Sequence, residues 1–176
     1  MKKKIIITGG LGYIGTELCK LYSGVSWHHQ IIVIDNRFIS ERVNQIRNWN
    51  MEFIQGDILD KNLISKYFKD ADVIHHLAGI TDVPRTKSES SVNQDAKIKA
   101  VGETGTQNIL DAMSNKCKII FPSTHVVYEG IKDVKTNIDE NETTKPVLSY
   151  SSSKAINEDQ LKKSGKNYII LRLGSV

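Results

Sequence analysis

The amino-acid sequence predicts an α/β fold in which helices cover both faces of a doubly wound parallel sheet. Short apolar segments without polar alternation recur along the chain, which is typical of strands that are buried on both faces. Segments with apolar residues at helical spacing lie between them, so strand and helix alternate. A glycine-rich turn directly follows the first apolar segment, and this predicts a ligand site at the carboxyl ends of the strands.

The predicted strands and helices follow one another over the whole chain. The strands, in order, cover residues 3–10, 30–36, 51–58, 72–79, 117–124 and 167–176. The helices between them cover residues 13–24, 62–71, 92–114 and 150–165. Gly24 and Gly165 stop the first and the last helix, whereas Gly102 and Gly105 weaken the long third one. In a sheet of this kind, we expect the functional residues just after the strands.

Length and composition fit one globular domain, since 176 residues can bury a core and 39% of them are hydrophobic. The longest apolar runs, Ile5–Ile7 and Ile31–Ile34, are far too short to cross a bilayer. The N-terminal lysines are followed by only three isoleucines, so we expect no signal peptide. These features predict a cytoplasmic protein that does not enter a membrane.

Charge and the sulfur and imidazole side chains limit the possible ligands. The net charge of +4 is compatible with an anionic ligand, but Lys and Arg are scattered among Asp and Glu, so we expect no nucleic-acid partner. Cys19 and Cys117 lack metal-ligand spacing and are expected to be buried. His75 and His76 are neighbours on a predicted strand and therefore point to opposite faces, so we expect packing and no metal site.

The glycine-rich turn after the first strand has the spacing of a phosphate-binding loop. Gly10, Gly12 and Gly15 satisfy G-x-G-x-x-G, and Gly9 begins an overlapping G-x-x-G-x-x-G. Glycines at these positions allow a tight turn, let a pyrophosphate approach the backbone and let the helix pack on the strand. The helix N-terminus then offers free N–H groups to the phosphates. The strand before it and the helix after it favour a dinucleotide site over a structural turn.

The end of the second strand indicates which dinucleotide is bound. Asp35 follows Gly15 by twenty residues, which is the expected place for a carboxylate that accepts hydrogen bonds from the adenosine ribose. Arg37 could meet a 2′-phosphate, but Asp35 would repel that phosphate. We therefore favour NAD over NADP, and we interpret Arg37 as a solvated loop residue or a neighbour of the adenine.

A tyrosine and a lysine one helical turn apart form a candidate catalytic pair. Tyr150 and Lys154 are spaced i, i+4 and would lie on one face of the last predicted helix. A nearby cation favours the phenolate, so the pair could remove the proton of an alcohol while hydride leaves its carbon. Ser123 and Thr124 end the fifth strand at the same crevice, where a hydroxyl could bind the reacting oxygen.

These motifs together resemble the extended short-chain dehydrogenase/reductases, the NAD-dependent epimerase/dehydratase family that acts on nucleotide sugars. The resemblance covers essentially the whole chain, in the order of the family. The stretches that carry it are TGGLGYIG, VIDN, GDI, HLAG, TGTQNILDA, PSTHVVYEG and YSSSK. It implies a Rossmann fold and a nucleotide-diphosphate sugar as the substrate of the complete enzyme.

The resemblance also implies roles for individual residues. It makes Thr124 the hydroxyl that binds the reacting oxygen, Tyr150 the base, and Lys154 the residue that lowers the tyrosine pKa and binds the nicotinamide ribose. The cofactor-binding residues that it implies are Gly9, Gly12, Tyr13, Ile14, Gly15, Asp35, Asn36, Asp57, Ile58, Leu77, Ala78, Gly79, Ser123, Tyr150 and Lys154.

The implied reaction begins with oxidation of a sugar hydroxyl, commonly at C4, to a ketone. Family dehydratases carry an Asp-Glu pair directly after the threonine, whereas this chain has His125 and Val126, which counts against a 4,6-dehydratase. His125 is interpreted as a polar loop residue in preference to an extra acid or base. The family has an asparagine where this chain has Gly102, so a polar contact near the site is expected to be missing or shifted.

Family members are much longer than this chain, so we expect the C-terminal substrate-binding domain to be absent from residues 1–176. We expect the chain to bind NAD(H) and to turn over a nucleotide sugar poorly or not at all. A homodimer through helices near residues 92–114 and 150–165 is implied by the resemblance. Two alternatives are a non-catalytic NAD(P)-binding sensor, which would not need the Tyr150/Lys154 pair, and an interaction module that retains only the fold.

Overall fold

A computed structural model describes residues 2–81, 91–132 and 136–174 of the chain. Its centre is a six-stranded sheet in which every pair of neighbouring strands is parallel. The strands are β1 (Lys4–Thr8), β2 (Gln30–Asp35), β3 (Glu52–Gln55), β4 (Val73–His76), β5 (Lys118–Thr124) and β6 (Asn167–Leu173). Each lies within a segment predicted as a strand, although residues 175–176 of the last prediction lie outside the described residues.

The helices connect consecutive strands, as parallel pairing requires. They are α1 (Tyr13–Ser23), α2 (Ser40–Asn48), α3 (Lys61–Phe68), α4 (Val92–Lys99), α5 (Gly105–Ala112) and α6 (Ser149–Lys163). A π-helical turn, Ala100–Thr104, joins α4 to α5, so the long helix predicted over 92–114 is continuous but wider in its middle. Short 3₁₀ turns cover Ser26–His28 and His125–Tyr128. The sequence prediction missed α2.

The strand order is β3-β2-β1-β4-β5-β6, so the chain reverses its direction of travel across the sheet between β1 and β4. In β1, Ile6 pairs with Ile32 of β2 and with Ile74 of β4. A reversal of this kind opens a crevice at the carboxyl ends of the two central strands. The doubly wound Rossmann fold predicted from the sequence is therefore confirmed.

Two apolar layers cover the two faces of the sheet, because successive strand residues point to opposite sides. Ile5 and Ile7 of β1 pack with α1 and α2 in the first layer, whereas Ile6 packs with α3, α5 and α6 in the second. Cys19 is buried in the first layer and Cys117 in the second, and both thiols are free. Their expected burial is confirmed.

Among residues 2–81, 91–132 and 136–174, no helix combines the length and the apolar character needed to cross a bilayer. Within those ranges, no three His, Cys, Asp or Glu side chains lie together in a way that could hold a metal ion.

Candidate cofactor and catalytic site

A cleft of about 700 Å³ lies at the carboxyl ends of the strands, where the strand order reverses. All the catalytic and cofactor-binding residues that the resemblance implies line this one cleft, whereas Gly10 of the glycine-rich turn does not. The implied residues are Gly9, Gly12, Tyr13, Ile14, Gly15, Asp35, Asn36, Asp57, Ile58, Leu77, Ala78, Gly79, Ser123, Thr124, Tyr150 and Lys154. Residues that were not predicted from the sequence line it as well, among them Arg42, Thr81, Val101 and Leu173.

The glycine loop between β1 and α1 has no room for side chains at its critical positions. Gly9 has a φ of +67°, and a Cβ on it would lie 2.7 Å from the backbone nitrogen of Ala78. A Cβ on Gly15 would lie 2.4 Å from the carbonyl oxygen of Gly9. The loop therefore holds backbone close to backbone, and α1 begins at its end, where Gly12, Tyr13 and Ile14 line the cleft. Such a cradle fits a pyrophosphate.

Asp35 is buried at the end of β2, and its carboxylate faces the same loop. The backbone N–H of Leu11 donates to its Oδ2 at 3.0 Å. Both the backbone nitrogen and Nε of Arg37 donate to its Oδ1 at 3.1 Å. Arg37 is thus paired with Asp35, and its side chain stays largely exposed, as expected of a solvated loop residue.

The far end of the cleft is formed by Asn36, Asp57 and Ile58. Asn36 Nδ2 donates to Asp57 Oδ2 at 3.3 Å, which links the residues after β2 and β3. Asn108 of α5 donates to the carbonyl oxygen of Ile58 at 3.1 Å and fixes that loop from behind. The polar side chains of Asn36 and Asp57 are suited to the hydrogen-bonding edge of a base, and the apolar side chain of Ile58 is suited to its face.

A buried chain of hydrogen bonds holds the residues after β4. Thr8 Oγ1 accepts the backbone N–H of Ala78 at 3.1 Å and lies 3.0 Å from Nδ1 of His76. His76 Nε2 lies 3.0 Å from Thr106 Oγ1. Burial, with a smaller effect of Lys154, lowers the pKa of His76 to about 3, so this imidazole is neutral. His75 points to the opposite face, where its Nε2 lies 2.8 Å from the Tyr22 hydroxyl.

Thr124, Tyr150 and Lys154 meet at the end of β5. Lys154 Nζ donates to the carbonyl oxygen of Pro122 at 2.8 Å and lies 6.0 Å from the centre of the Tyr150 ring. Burial lowers the pKa of Lys154 to about 8. Burial also raises the pKa of Tyr150, and a hydrogen bond with Thr124 opposes that rise. The lowering of the tyrosine pKa by Lys154 that we expected is not seen in the protein alone.

Two carboxylates that were not predicted as functional from the sequence form hydrogen bonds that hold the elements of this site in position. Glu158 of α6 accepts from Ser123 Oγ at 2.6 Å and from Arg172 Nη2 at 2.6 Å. Glu129 accepts the backbone N–H groups of Val147 and Leu148, both at 2.7 Å, and so fixes the chain where it enters α6. No local sequence pattern reveals either contact, because the partners are far apart in the chain.

The two departures from the family pattern have structural explanations. His125 is exposed, and its Nδ1 donates to the carbonyl oxygen of Leu173 at 3.2 Å, in keeping with a polar loop residue. Gly102 lies in the π-helical turn, where a Cβ would fall 2.2 Å from Ser153 Oγ of α6. Its carbonyl oxygen accepts from Asn157 Nδ2 at 3.0 Å. The glycine therefore permits a close approach of two helices.

Comparison with known proteins gives consistent matches. The model of the 3-beta hydroxysteroid dehydrogenase/isomerase family matches residues 6–172. The UDP-N-acetyl-alpha-D-glucosaminuronate decarboxylase of Bacillus cytotoxicus is 35% identical over 130 residues, which are 73% of this chain and 38% of that protein. The CDP-paratose 2-epimerase of Salmonella typhi is 35% identical over 153 residues, 80% of this chain and 42% of that protein.

A solved structure is similar over nearly the whole chain. The UDP-glucose 4-epimerase of Brucella ovis in complex with NAD superposes with a TM-score of 0.76 at 29% identity, covering 97% of this chain and 51% of that one. The chain spans about half the length, or less, of these matched proteins.

Proposed function

Because the chain belongs to the 3-beta hydroxysteroid dehydrogenase/isomerase family and its matched relatives act on nucleotide sugars, we propose that it binds NAD and oxidises a nucleotide-sugar hydroxyl. The oxidised carbon in this proposal is C4 of the sugar, which becomes a ketone. The observation that carries the proposal is that one cleft holds the glycine loop and Asp35 at one end and Thr124, Tyr150 and Lys154 at the other.

Three parts of the cleft support NAD as the cofactor. The loop from Gly9 to Gly15 would hold the pyrophosphate, because added side chains there would collide with backbone. Asp35 would bind the adenosine ribose. Lys154 would bind the nicotinamide ribose. NAD supplies, when bound, the hydride acceptor and a positive ring that favours the Tyr150 phenolate.

Tyr150 and Thr124 would carry out the proton chemistry. The Tyr150 phenolate would take the proton from the sugar hydroxyl. The carbon that bears this oxygen would lose its hydride to the cofactor, so that the C–O bond becomes a carbonyl. Thr124 donates to that oxygen and holds it in place. Burial raises the pKa of Tyr150 in the protein alone, and the positive charge of a bound nicotinamide ring would act in the opposite direction.

The first test measures binding and hydride transfer separately. The chain is titrated with NAD(H), and NADH formation is then followed in single-turnover reactions with UDP-glucose, UDP-N-acetylglucosamine or dTDP-glucose, with a hydroxysteroid as the comparison substrate. We expect NAD binding and slow NADH formation with a nucleotide sugar. Tyr150→Phe should retain NAD affinity and lose hydride transfer by about a hundredfold or more.

The matched control is Tyr168→Phe, because this tyrosine lies on β6 and does not line the cleft. It should behave as the unaltered protein does. NAD binding without hydride transfer to any sugar, measured in a protein that includes the substrate-binding domain, would favour the sensor alternative and contradict the catalytic proposal. Failure to bind NAD would contradict both and leave the interaction module.

Three finer expectations belong to the same proposal. The complete enzyme would carry a separate substrate-binding domain beyond the 1–176 Rossmann domain. It would form a homodimer through α4, α5 and α6, which light scattering of the purified protein would detect. It would work in the cytoplasm. Its substrates there would be nucleotide sugars with an intact diphosphate.

A further inference from the structure

The first turn of α6, which carries Tyr150, is bound by a carboxylate from outside the helix. Glu129 Oε1 accepts the backbone N–H groups of Val147 and Leu148, each at 2.7 Å, and the Ser151 hydroxyl donates to the same oxygen. Val147 and Leu148 lie directly before the helix, and Ser151 is its third residue. Because Tyr150 is the second residue of α6, Glu129 binds the chain on both sides of the tyrosine.

The same carboxylate belongs to the turn that begins at Thr124. Thr124 caps the 3₁₀ turn His125–Tyr128 by accepting the backbone N–H of Val126 at 3.2 Å, and Glu129 is the residue that ends this turn. Glu129 therefore joins the turn behind Thr124 to the helical turn that carries Tyr150. The hydrogen bond between the hydroxyls of Thr124 and Tyr150 forms across this junction.

Two backbone hydrogen bonds also join these segments, but they lie further from α6. The N–H of Lys145 donates to the carbonyl oxygen of Val127, and the N–H of Gly130 donates to the carbonyl oxygen of Lys145, both at 2.8 Å. They fix the chain five residues before Tyr150, whereas the bonds of Glu129 reach the first turn of α6 itself. The N–H groups at the start of a helix have no acceptor within the helix, so a carboxylate there stabilises the first turn.

We propose that Glu129 is a positioning residue for the reaction proposed above, because it holds the first turn of α6 so that the Tyr150 hydroxyl faces Thr124. Among the described residues, Glu129 is not part of the cleft lining, so it acts through Tyr150 and does not touch substrate or cofactor. Proton transfer requires the tyrosine oxygen within hydrogen-bond reach of the sugar hydroxyl. A small displacement of such a group reduces the rate strongly. The inference rests on the proposed function, since it concerns catalysis by Tyr150.

Three variants separate the hydrogen bonds of Glu129 from its charge. Glu129→Ala removes both, whereas Glu129→Gln removes the charge and keeps a carbonyl oxygen that can accept the same N–H groups. Glu140→Ala is the matched control, because it removes an exposed carboxylate from the segment before α6. The Glu140 side chain forms no hydrogen bond or ion pair with the part of the chain that the structure describes. Circular dichroism confirms that each form is folded.

The first measurement needs neither NAD nor a sugar. NMR of protein labelled with 13C-tyrosine follows the titration of Tyr150, whose signal is assigned with Tyr150→Phe. Burial, opposed by the hydrogen bond with Thr124, raises the pKa of Tyr150 in the folded chain. Glu129→Ala should release the first turn of α6 to solvent, so the pKa of Tyr150 should fall towards its ordinary value. Glu129→Gln and Glu140→Ala should leave this pKa unchanged. No change in Glu129→Ala, or an equal fall in Glu129→Gln, overturns the inference.

The second measurement compares NAD affinity with the rate of NADH formation from UDP-glucose in single turnovers. Glu129→Ala should slow hydride transfer at least about tenfold. Its NAD dissociation constant should stay within about threefold, because the phosphate loop and Asp35 are unchanged. Glu129→Gln should restore most of the rate. A rate in Glu129→Ala equal to that of Glu140→Ala, or a parallel loss of NAD affinity, also overturns the inference.

Failure of the proposed function gives a different result. No form would then transfer hydride, even in a protein that includes the substrate-binding domain. The titration of Tyr150 would still decide whether Glu129 holds the tyrosine in place.

Discussion

The guanidinium of Arg172 and the carboxylate of Glu158 form an ion pair with 2.6 Å between Nη2 and Oε2, and their side chains are only 11% and 2% exposed. Burial acts to raise the pKa of Glu158, but hydrogen bonds from Arg172 and Ser123 outweigh it and lower the pKa overall. The pair joins β6 to α6, and the Ser123 hydroxyl joins it to the end of β5. It thereby fixes the elements that carry Thr124 and Tyr150.

Removal of this carboxylate should destabilise the fold strongly. Glu158→Ala leaves a buried guanidinium without its anion, and we expect a loss of about 3 kcal/mol in the free energy of unfolding. Urea denaturation measures it. Asp159→Ala is the control, because that neighbouring carboxylate is exposed and pairs with Lys163 at 2.7 Å on the helix surface. Its expected cost is below about 1 kcal/mol. Equal losses in the two variants would show that the buried pair has no special role.

A methyl group at Gly15 should disrupt the phosphate loop. The added Cβ would lie 2.4 Å from the Gly9 carbonyl oxygen, so backbone must move. We expect a loss of about 2 kcal/mol in stability and a fall of about tenfold or more in NAD affinity. Gly24→Ala is the control, because Gly24 has helical φ and ψ and nothing within 4 Å of an added Cβ. It should be neutral or stabilise by about 0.5 kcal/mol. Unchanged NAD affinity in Gly15→Ala would contradict the loop assignment.

We expect Lys154 to lower the stability of the protein, because its position in the cleft buries its charge. Its pKa falls from 10.5 to about 8 in the folded state, so the unfolded state binds more protons between these values and stability rises with pH there. Lys154→Met should therefore stabilise the fold by about 1–3 kcal/mol at about pH 7. That advantage should shrink towards about pH 9.5, where folded Lys154 is already neutral.

Chemical denaturation at several pH values tests this expectation for Lys154. Lys163→Met is the matched control, since this lysine side chain on α6 is 78% exposed. Its effect should be within about 0.5 kcal/mol and independent of pH over this range. A Lys154→Met variant less stable than the unaltered chain at every pH would show that its bond to Pro122 outweighs the burial of its charge.

His76 should make the fold sensitive to acid. Its pKa is about 3 in the folded state against an ordinary 6.5, so the unfolded state binds more protons as the pH falls below 6.5 and stability is lost. His76→Gln should be less stable at neutral pH, because it breaks the contacts to Thr8 and Thr106. Between about pH 7 and about pH 4.5, its stability should fall by about 2 kcal/mol less than that of the unaltered chain.

Thermal unfolding at the two pH values measures the acid sensitivity of His76→Gln. The control is His28→Gln, because His28 is exposed in the 3₁₀ turn before β2. Parallel pH profiles for the unaltered chain and His76→Gln would refute the account of a buried neutral imidazole.

The sequence predicted the sheet and the residues of the cleft because both depend on local patterns. Continuous apolar segments identified the strands, and the glycine spacing identified the turn after β1. Helix α2 was missed because its sequence, SERVNQIRN, buries only Val43 and Ile46 and so shows little apolar periodicity. That omission also concealed Arg42, which reaches the cleft from this helix.

The contacts of long side chains could not be predicted in this way. Arg37 bonds to Asp35 while much of its side chain stays exposed, and this rotamer is set only in the folded loop. The burial of Lys154 depends on the packing of α6 against β5, where its Nζ lies 4.4 Å from the centre of the Phe121 ring. The spacing placed Lys154 next to Tyr150 and predicted that the lysine lowers the pKa of the tyrosine, but it could not show that burial would shift the pKa of both groups.

The two buried cysteines lie in the layers on opposite faces of the sheet, so their reaction with a thiol reagent can report on each layer separately. Burial raises the pKa of both Cys19 and Cys117 to about 12, so reactive thiolate is scarce at neutral pH. A thiol reagent can then label Cys19 only when the layer of α1 and α2 opens, and Cys117 only when the opposite layer does. Mass spectrometry of the two labelled peptides would report local opening on each side of the cleft without any engineered probe. A nucleotide bound across that cleft should slow both reactions.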